Sequence, residues 1–204
     1  ETGEPVGEYV INSWYDDNYN NNKGFDGTLD GDGYTVYGMY YKNGAPDANA
    51  NWGLDGAGLI PRVNVDQTAN IKKLGVDYAY VSVKNGYGAS AFVGTAGVTW
   101  NTSSDTLATV NIDQCYAGAN VLLTACTVGA FRGSDKYSAL NISNSYTLAK
   151  IVCIGANRQY GFYGGRWNST FSITNSFNGY DGDEVSGIIS EAYADWIEAN
   201  CANN

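Results

Sequence analysis

The chain has 204 residues, 44% of them hydrophobic and 14% aromatic, with no apolar run approaching the length of a membrane span. Seventeen Tyr, six Phe and five Trp supply enough large apolar surface to offset chain entropy, which argues against disorder despite 26 Gly. Eleven basic against twenty-one acidic residues give a formal net charge of −10, and the Lys and Arg are scattered singly, so no basic stripe exists for a phosphate backbone and nucleic acid is not an expected partner. There is no His, which removes Ser-His-Asp triads, Cys-His dyads and His-ligated zinc in one step.

Sequons stand at Asn101 (Asn-Thr-Ser), Asn141 (Asn-Ile-Ser) and Asn168 (Asn-Ser-Thr), beside four Cys and a charged fraction of only 16%. Together they predict an extracellular or cell-surface glycoprotein. Glu1-Thr2-Gly3 matches the trio a secretion vector leaves after signal cleavage and is set apart from residues 4–204, which read as one domain.

In chain order, Gly7–Trp14 is a strand candidate, Asp16–Gly33 a polar loop and Tyr34–Tyr41 a second strand. Asp66 is placed to cap a short helix running to Leu74, with Gly75 at its end, and Val76–Val83 follows as a strand. A helix or turn is expected near Asp105–Ala117, a central strand over Asn120–Val128, a helix from Ser134 to about Leu148, and a buried strand over Lys150–Ile154. Gly155–Gly165 is a glycine-rich loop. A closing helix places Val185, Ile188, Ile189, Ala192 and Trp196 on one face, with Asp181 and Glu184 as a capping box. No internal repeat is read. The expected fold is α/β, a single domain with a mostly parallel central sheet flanked by helices.

A buried strand ending Ala125-Cys126, preceded by Val81-Ser82-Val83-Lys84-Asn85-Gly86, resembles the caspase-like cysteine peptidases, the group that includes gingipains, legumain and caspases. The resemblance implies the caspase-hemoglobinase arrangement, with Cys126 at the nucleophile position and Asn85-Gly86 where the family keeps His-Gly. It further implies a pocket lined by Gly86, Ala125, Arg158 and Gln159. An Asn amide neither raises the thiolate fraction nor protonates a leaving amine, so the same resemblance argues against activity.

Four Cys allow three complete pairings, of which Cys115 with Cys201 is the expectation, with Cys126 and Cys153 unassigned. Asp26, Asp30 and Asp32 in DGTLDGDG partly echo a calcium loop, although Thr28 stands where a carboxylate or amide is wanted and no Glu closes it. Calcium is the one cofactor so indicated. The carboxylates around the last helix, Asp181, Asp183, Glu184 and Glu191, are explained by capping and the helix dipole better than by glycoside hydrolysis. Trp52, Trp100, Tyr160, Phe162, Tyr163 and Trp167 are candidates for an aromatic surface that binds glycan or protein, with core packing the expected fate of most of them. The leading expectation is a secreted or cell-surface pseudopeptidase serving as a binding or structural module, with a protein, peptide or glycan partner. The alternatives are a cysteine endopeptidase acting through Cys126, with Asn85 a His-to-Asn change or Asp77 an unorthodox base, and an adhesin module.

Overall fold

Period-two alternation governs Thr68–Lys72, where Ala69 and Ile71 are buried between the partly exposed Thr68, Asn70 and Lys72. It recurs in Ala108–Asp113 and Ser138–Ser143. The computed structural model describes residues 24–43, 56–83, 88–97, 106–153, 161–165 and 168–179. It stacks these segments in a first sheet ordered β1 (Gly27–Asp30), β5 (Thr68–Lys72), β9 (Ala108–Asp113), β13 (Ser138–Ser143) and β16 (Thr170–Thr174). The second sheet runs β2 (Thr35–Tyr37), β6 (Gly75–Asp77), β10 (Tyr116–Ala117), β14 (Tyr146–Thr147) and β17 (Phe177–Asn178). The third holds β3 (Tyr40–Asn43), β7 (Ala79–Val83), β11 (Val121–Ala125) and β15 (Lys150–Cys153), and the fourth β4 (Ile60–Val63), β8 (Val93–Ala96) and β12 (Arg132–Asp135).

Every strand pairing is parallel. The chain visits the faces in turn and returns one strand spacing further along, so the described residues form a parallel β-solenoid. Inside it, like stacks on like. Leu29, Ile71, Ile112, Ile142 and Ile173 share one column, buried at its three middle residues and exposed at Ile173, and Phe92, Phe131 and Phe162 share another, with ring centroids 5.0 and 5.5 Å apart. Left-handed residues bracket the first sheet: Asp66, Tyr137 and Asn168 before it, Lys73, Gln114, Asn144 and Asn175 after it, all with φ between 46° and 66°. These make the sharp corners without glycine.

One charge pair is sealed inside. Arg132 and Asp135 are both fully buried, joined by Nη2 to Oδ2 at 2.6 Å, while Arg132 Nη1 donates to Ser138 Oγ at 2.8 Å. Arg132 Nε has no hydrogen-bond acceptor, and the guanidinium carbon instead lies 5.1 Å from the Phe171 ring centroid and 5.9 Å from that of Tyr163. Burial pulls this guanidinium down to about 10, with Asp135 opposing, so it stays protonated at neutral pH.

The expected α/β fold, with helices flanking a central caspase-hemoglobinase sheet, is overturned: there are no helices among the described residues. The helices expected over Asp66–Leu74, Asp105–Ala117 and Ser134–Leu148 are instead β5, β9 with β10, and β12 to β14. Asp66 turns a corner at φ 66° rather than capping. The polar loop Asp16–Gly33 contains β1, and the strand expected over Tyr34–Tyr41 is two, broken at Gly38 with φ 75°. The parallel pairing stands, as do the buried strands β11 and β15, which are neighbours. A repeat is present after all, because Asn70-Ile71, Asn111-Ile112, Asn141-Ile142 and Ser172-Ile173 occupy one register position in successive turns. Gly7–Trp14 and the closing helix lie outside the described residues.

Replacing Asp135 by Ala leaves Arg132 buried without its counter-charge and is expected to cost about 3–5 kcal/mol. Urea unfolding midpoints at neutral pH measure it, and the joint change Arg132→Met with Asp135→Leu is expected to cost less than Asp135→Ala alone.

Candidate functional site

Cys126 follows β11 and is partly buried, and its carbonyl accepts a hydrogen bond from the Cys153 thiol at 2.9 Å. Ala125 is buried in the strand. Asn85, Gly86, Arg158 and Gln159 lie outside the described residues, so of the peptidase-like positions the structure places only Cys126 and Ala125. Cys115 is a free thiol, 2% exposed, which donates to the Asp113 carbonyl at 3.3 Å, and Cys201 lies outside the described residues. Burial pushes the Cys115 thiol up from 9.0 to about 11.

Two of the three Asp in the acidic segment have separate tasks. Asp26 Oδ1 accepts the Thr68 amide at 3.0 Å, tying the entry of β1 to β5. Asp30 pairs with Lys72 at 3.0 Å and accepts the Asp32 amide at 3.1 Å, and the Lys72 bond holds its carboxyl below the usual value. Among the described residues no three acidic or cysteine side chains gather as a metal site.

Polar side chains form ladders on the outer face of the first sheet. Asn141 Nδ2 donates to Asn111 Oδ1 at 2.8 Å, Asn111 Nδ2 to Asn70 Oδ1 at 2.8 Å, and Asn70 Nδ2 to the Gly27 carbonyl at 3.5 Å. A second ladder runs along the following corner, from Asn175 Nδ2 to Asn144 Oδ1 at 2.6 Å and from Asn144 Nδ2 to Asp113 Oδ1 at 2.8 Å. Ser143 Oγ also donates to Asp113 Oδ1 at 2.6 Å, and this bond leads the causes that hold the Asp113 carboxyl low. Both ladders donate toward earlier turns. A carboxylate accepts and never donates, so Asp113 fixes that direction in the second.

Aromatic rings follow one step on. Thr35, Gly75, Tyr116, Tyr146 and Phe177 share a register column in the second sheet. Tyr116 lies over Gly75, where a Cβ would collide with the ring, and its hydroxyl is 2.6 Å from Thr35 Oγ1. Tyr146 stacks on Tyr116 with centroids 5.2 Å apart and planes 6° from parallel, and burial raises its phenol pKa. Asn144, Ser145, Tyr146, Asn175, Ser176 and Phe177 line an open groove of about 520 Å³.

Of the sequons, Asn101 lies outside the described residues, Asn141 is exposed within the first ladder, and Asn168 is exposed at a left-handed corner with φ 51°. Of the candidate aromatic surface, Phe162 is in the core and Tyr163 packs on Phe171 at 4.2 Å beside Arg132, while Trp52, Trp100, Tyr160 and Trp167 lie outside the described residues. The ladder amides and the Tyr116–Tyr146–Phe177 column were not expected from sequence. Their signal was present: Asn111, Asn141 and Ser172 each begin a segment with an aromatic residue five positions on.

Compared with protein-family models, curated proteins and solved structures, the chain matches none.

Two outcomes follow for the thiols. Under native conditions iodoacetamide is expected to modify Cys126 well before Cys115, as peptide mapping would read. Between pH 9 and about 11 the unfolded chain releases the Cys115 proton that the folded chain retains, so this thiol's stabilising contribution is complete below pH 9 and lost as pH rises. Relative to Cys115→Ala, the wild-type chain is expected to lose up to about 2 kcal/mol across that range in denaturant titrations.

Proposed function

We propose that this chain is a secreted or cell-surface β-solenoid that serves as a binding or structural module. The observation that carries the reading is the outer surface of the first two sheets, where amides and aromatic rings stand in register columns, one per turn, about 4.8 Å apart. A side chain held by neighbours above and below loses little freedom when it meets a ligand, and repeated columns make an extended surface. The sequons and low charge support an extracellular setting.

A peptidase would need Cys126 to meet a base. Neither the amide of Asn85 nor any imidazole supplies one, and Asp77 is committed to the Tyr78 and Asn120 amides at 3.0 and 3.1 Å. Calcium would draw on Asp26, Asp30 and Asp32, of which Asp30 already carries a Lys72 ammonium.

The purified chain is expected to retain on at least one of an immobilised glycan array, a matrix-protein panel or intact cells, and to leave a peptide library uncleaved. Cleavage together with labelling of Cys126 by a peptidyl electrophile would overturn this reading, as would blank results on all three binding surfaces.

A further inference from the structure

We propose that the corner groove between the first two sheets is a binding site for an uncharged glycan chain, with Tyr146 and Phe177 as the stacking platform and Asn175 as the polar contact; this rests on the reading of the chain as a binding module. The lining supplies two complementary surfaces. Tyr146 and Phe177 are register neighbours one turn apart and are 41% and 61% exposed, and Tyr146 stacks on Tyr116. A pyranose ring has a C–H face that packs on an aromatic ring and hydroxyls at its edge, so it needs an apolar platform with hydrogen-bonding groups beside it.

The two serine hydroxyls of the groove are already used. Ser145 Oγ donates to the Ser143 carbonyl at 2.6 Å and accepts the Cys115 amide at 3.0 Å; Ser176 Oγ donates to the Thr174 carbonyl at 2.8 Å and accepts the Ser145 amide at 3.2 Å. They form a rigid floor. The amide ladder ends differently. Because Asp113 is an obligate acceptor, Asn144 donates to it and Asn175 donates to Asn144, so among the described residues Asn175 Oδ1 is the ladder's terminal acceptor, on a residue that lines the groove with Phe177. Polarisation along a hydrogen-bonded chain strengthens that oxygen as an acceptor. A sugar hydroxyl satisfies it, whereas an anionic group does not, and no charged side chain lines the groove among the described residues. The occupant is therefore hydroxylated, flat-faced and neutral.

The test uses calorimetry of the whole chain with neutral hexasaccharides of glucan, mannan and xylan type, and with an oligogalacturonate as the anionic contrast. At least one neutral hexasaccharide is expected to bind, and the oligogalacturonate is expected to bind more weakly than it. Phe177→Ser, a change at an exposed ring, and Tyr146→Ala are each expected to weaken binding about tenfold or more. Tyr146→Phe keeps the ring and is expected to stay within about threefold of wild type; Asn175→Ala, which removes the terminal acceptor, is expected to weaken the neutral ligand about tenfold. Binding that persists unchanged in Phe177→Ser and Asn175→Ala would place the glycan elsewhere and overturn the groove while leaving the module reading intact. No binding by any neutral hexasaccharide, with retention on cells or matrix protein, would likewise overturn the groove alone.

Discussion

The parallel register between successive turns is the constraint on which the rest of the molecule depends. Parallel backbone ladders fix neighbouring strands about 4.8 Å apart and forbid slippage, since a one-residue shift would turn every buried side chain outward. Once Ile71, Ile112 and Ile142 lie over one another, the residues between them are stacked too, on the opposite surface. The inner columns and the outer ladders are thus two consequences of one pairing. Apolar columns bury carbon, and the Asn column, half-buried at Asn70 and Asn111, closes hydrogen bonds along its length.

The corners are the second structural demand. A turn of the solenoid must leave one sheet and enter the next within a residue or two, and here left-handed residues do this at both ends of the first sheet. Asn and Asp tolerate that region, while Tyr137, Lys73 and Gln114 pay a steric cost there that packing must offset. The buried Arg132–Asp135 pair joins the first and last residues of β12 and ties that strand across the corner to Ser138 at the start of β13. The amide ladder and the aromatic column meet at the next corner, which is why the groove lies there and not on the flat of a sheet.

Much of the strand content was readable. The runs that became β11 and β15 are largely apolar and were expected as buried strands, and a strand was expected over the run that contains β7. The misread elements are those broken by left-handed residues other than Gly. Gln114 and Asn144 separate β9 from β10 and β13 from β14, which looked like longer segments of helical length, while β5 looked like a helix ending at Leu74 and β6 with β7 looked like one strand across Tyr78. The caspase-type resemblance had its basis in a real feature, the parallel neighbours β7, β11 and β15, but such neighbours also occur in a solenoid, and a local strand pattern does not report what covers it.

What the sequence determined by itself is the chemistry available: no imidazole, a net charge of −10, many amides and aromatic rings, and buried strands that want parallel partners. What the tertiary structure alone decided is which of these residues meet. Asn144 and Asn175 are 31 positions apart, as are Tyr146 and Phe177, while Asp113 and Asn144 are also 31 apart and Asn70 and Asn111 are 41 apart. The turns differ in length because the loops between strands differ. No fixed sequence period announces the columns, and only the hydrogen-bonded stacking of one turn on the next brings their members into contact.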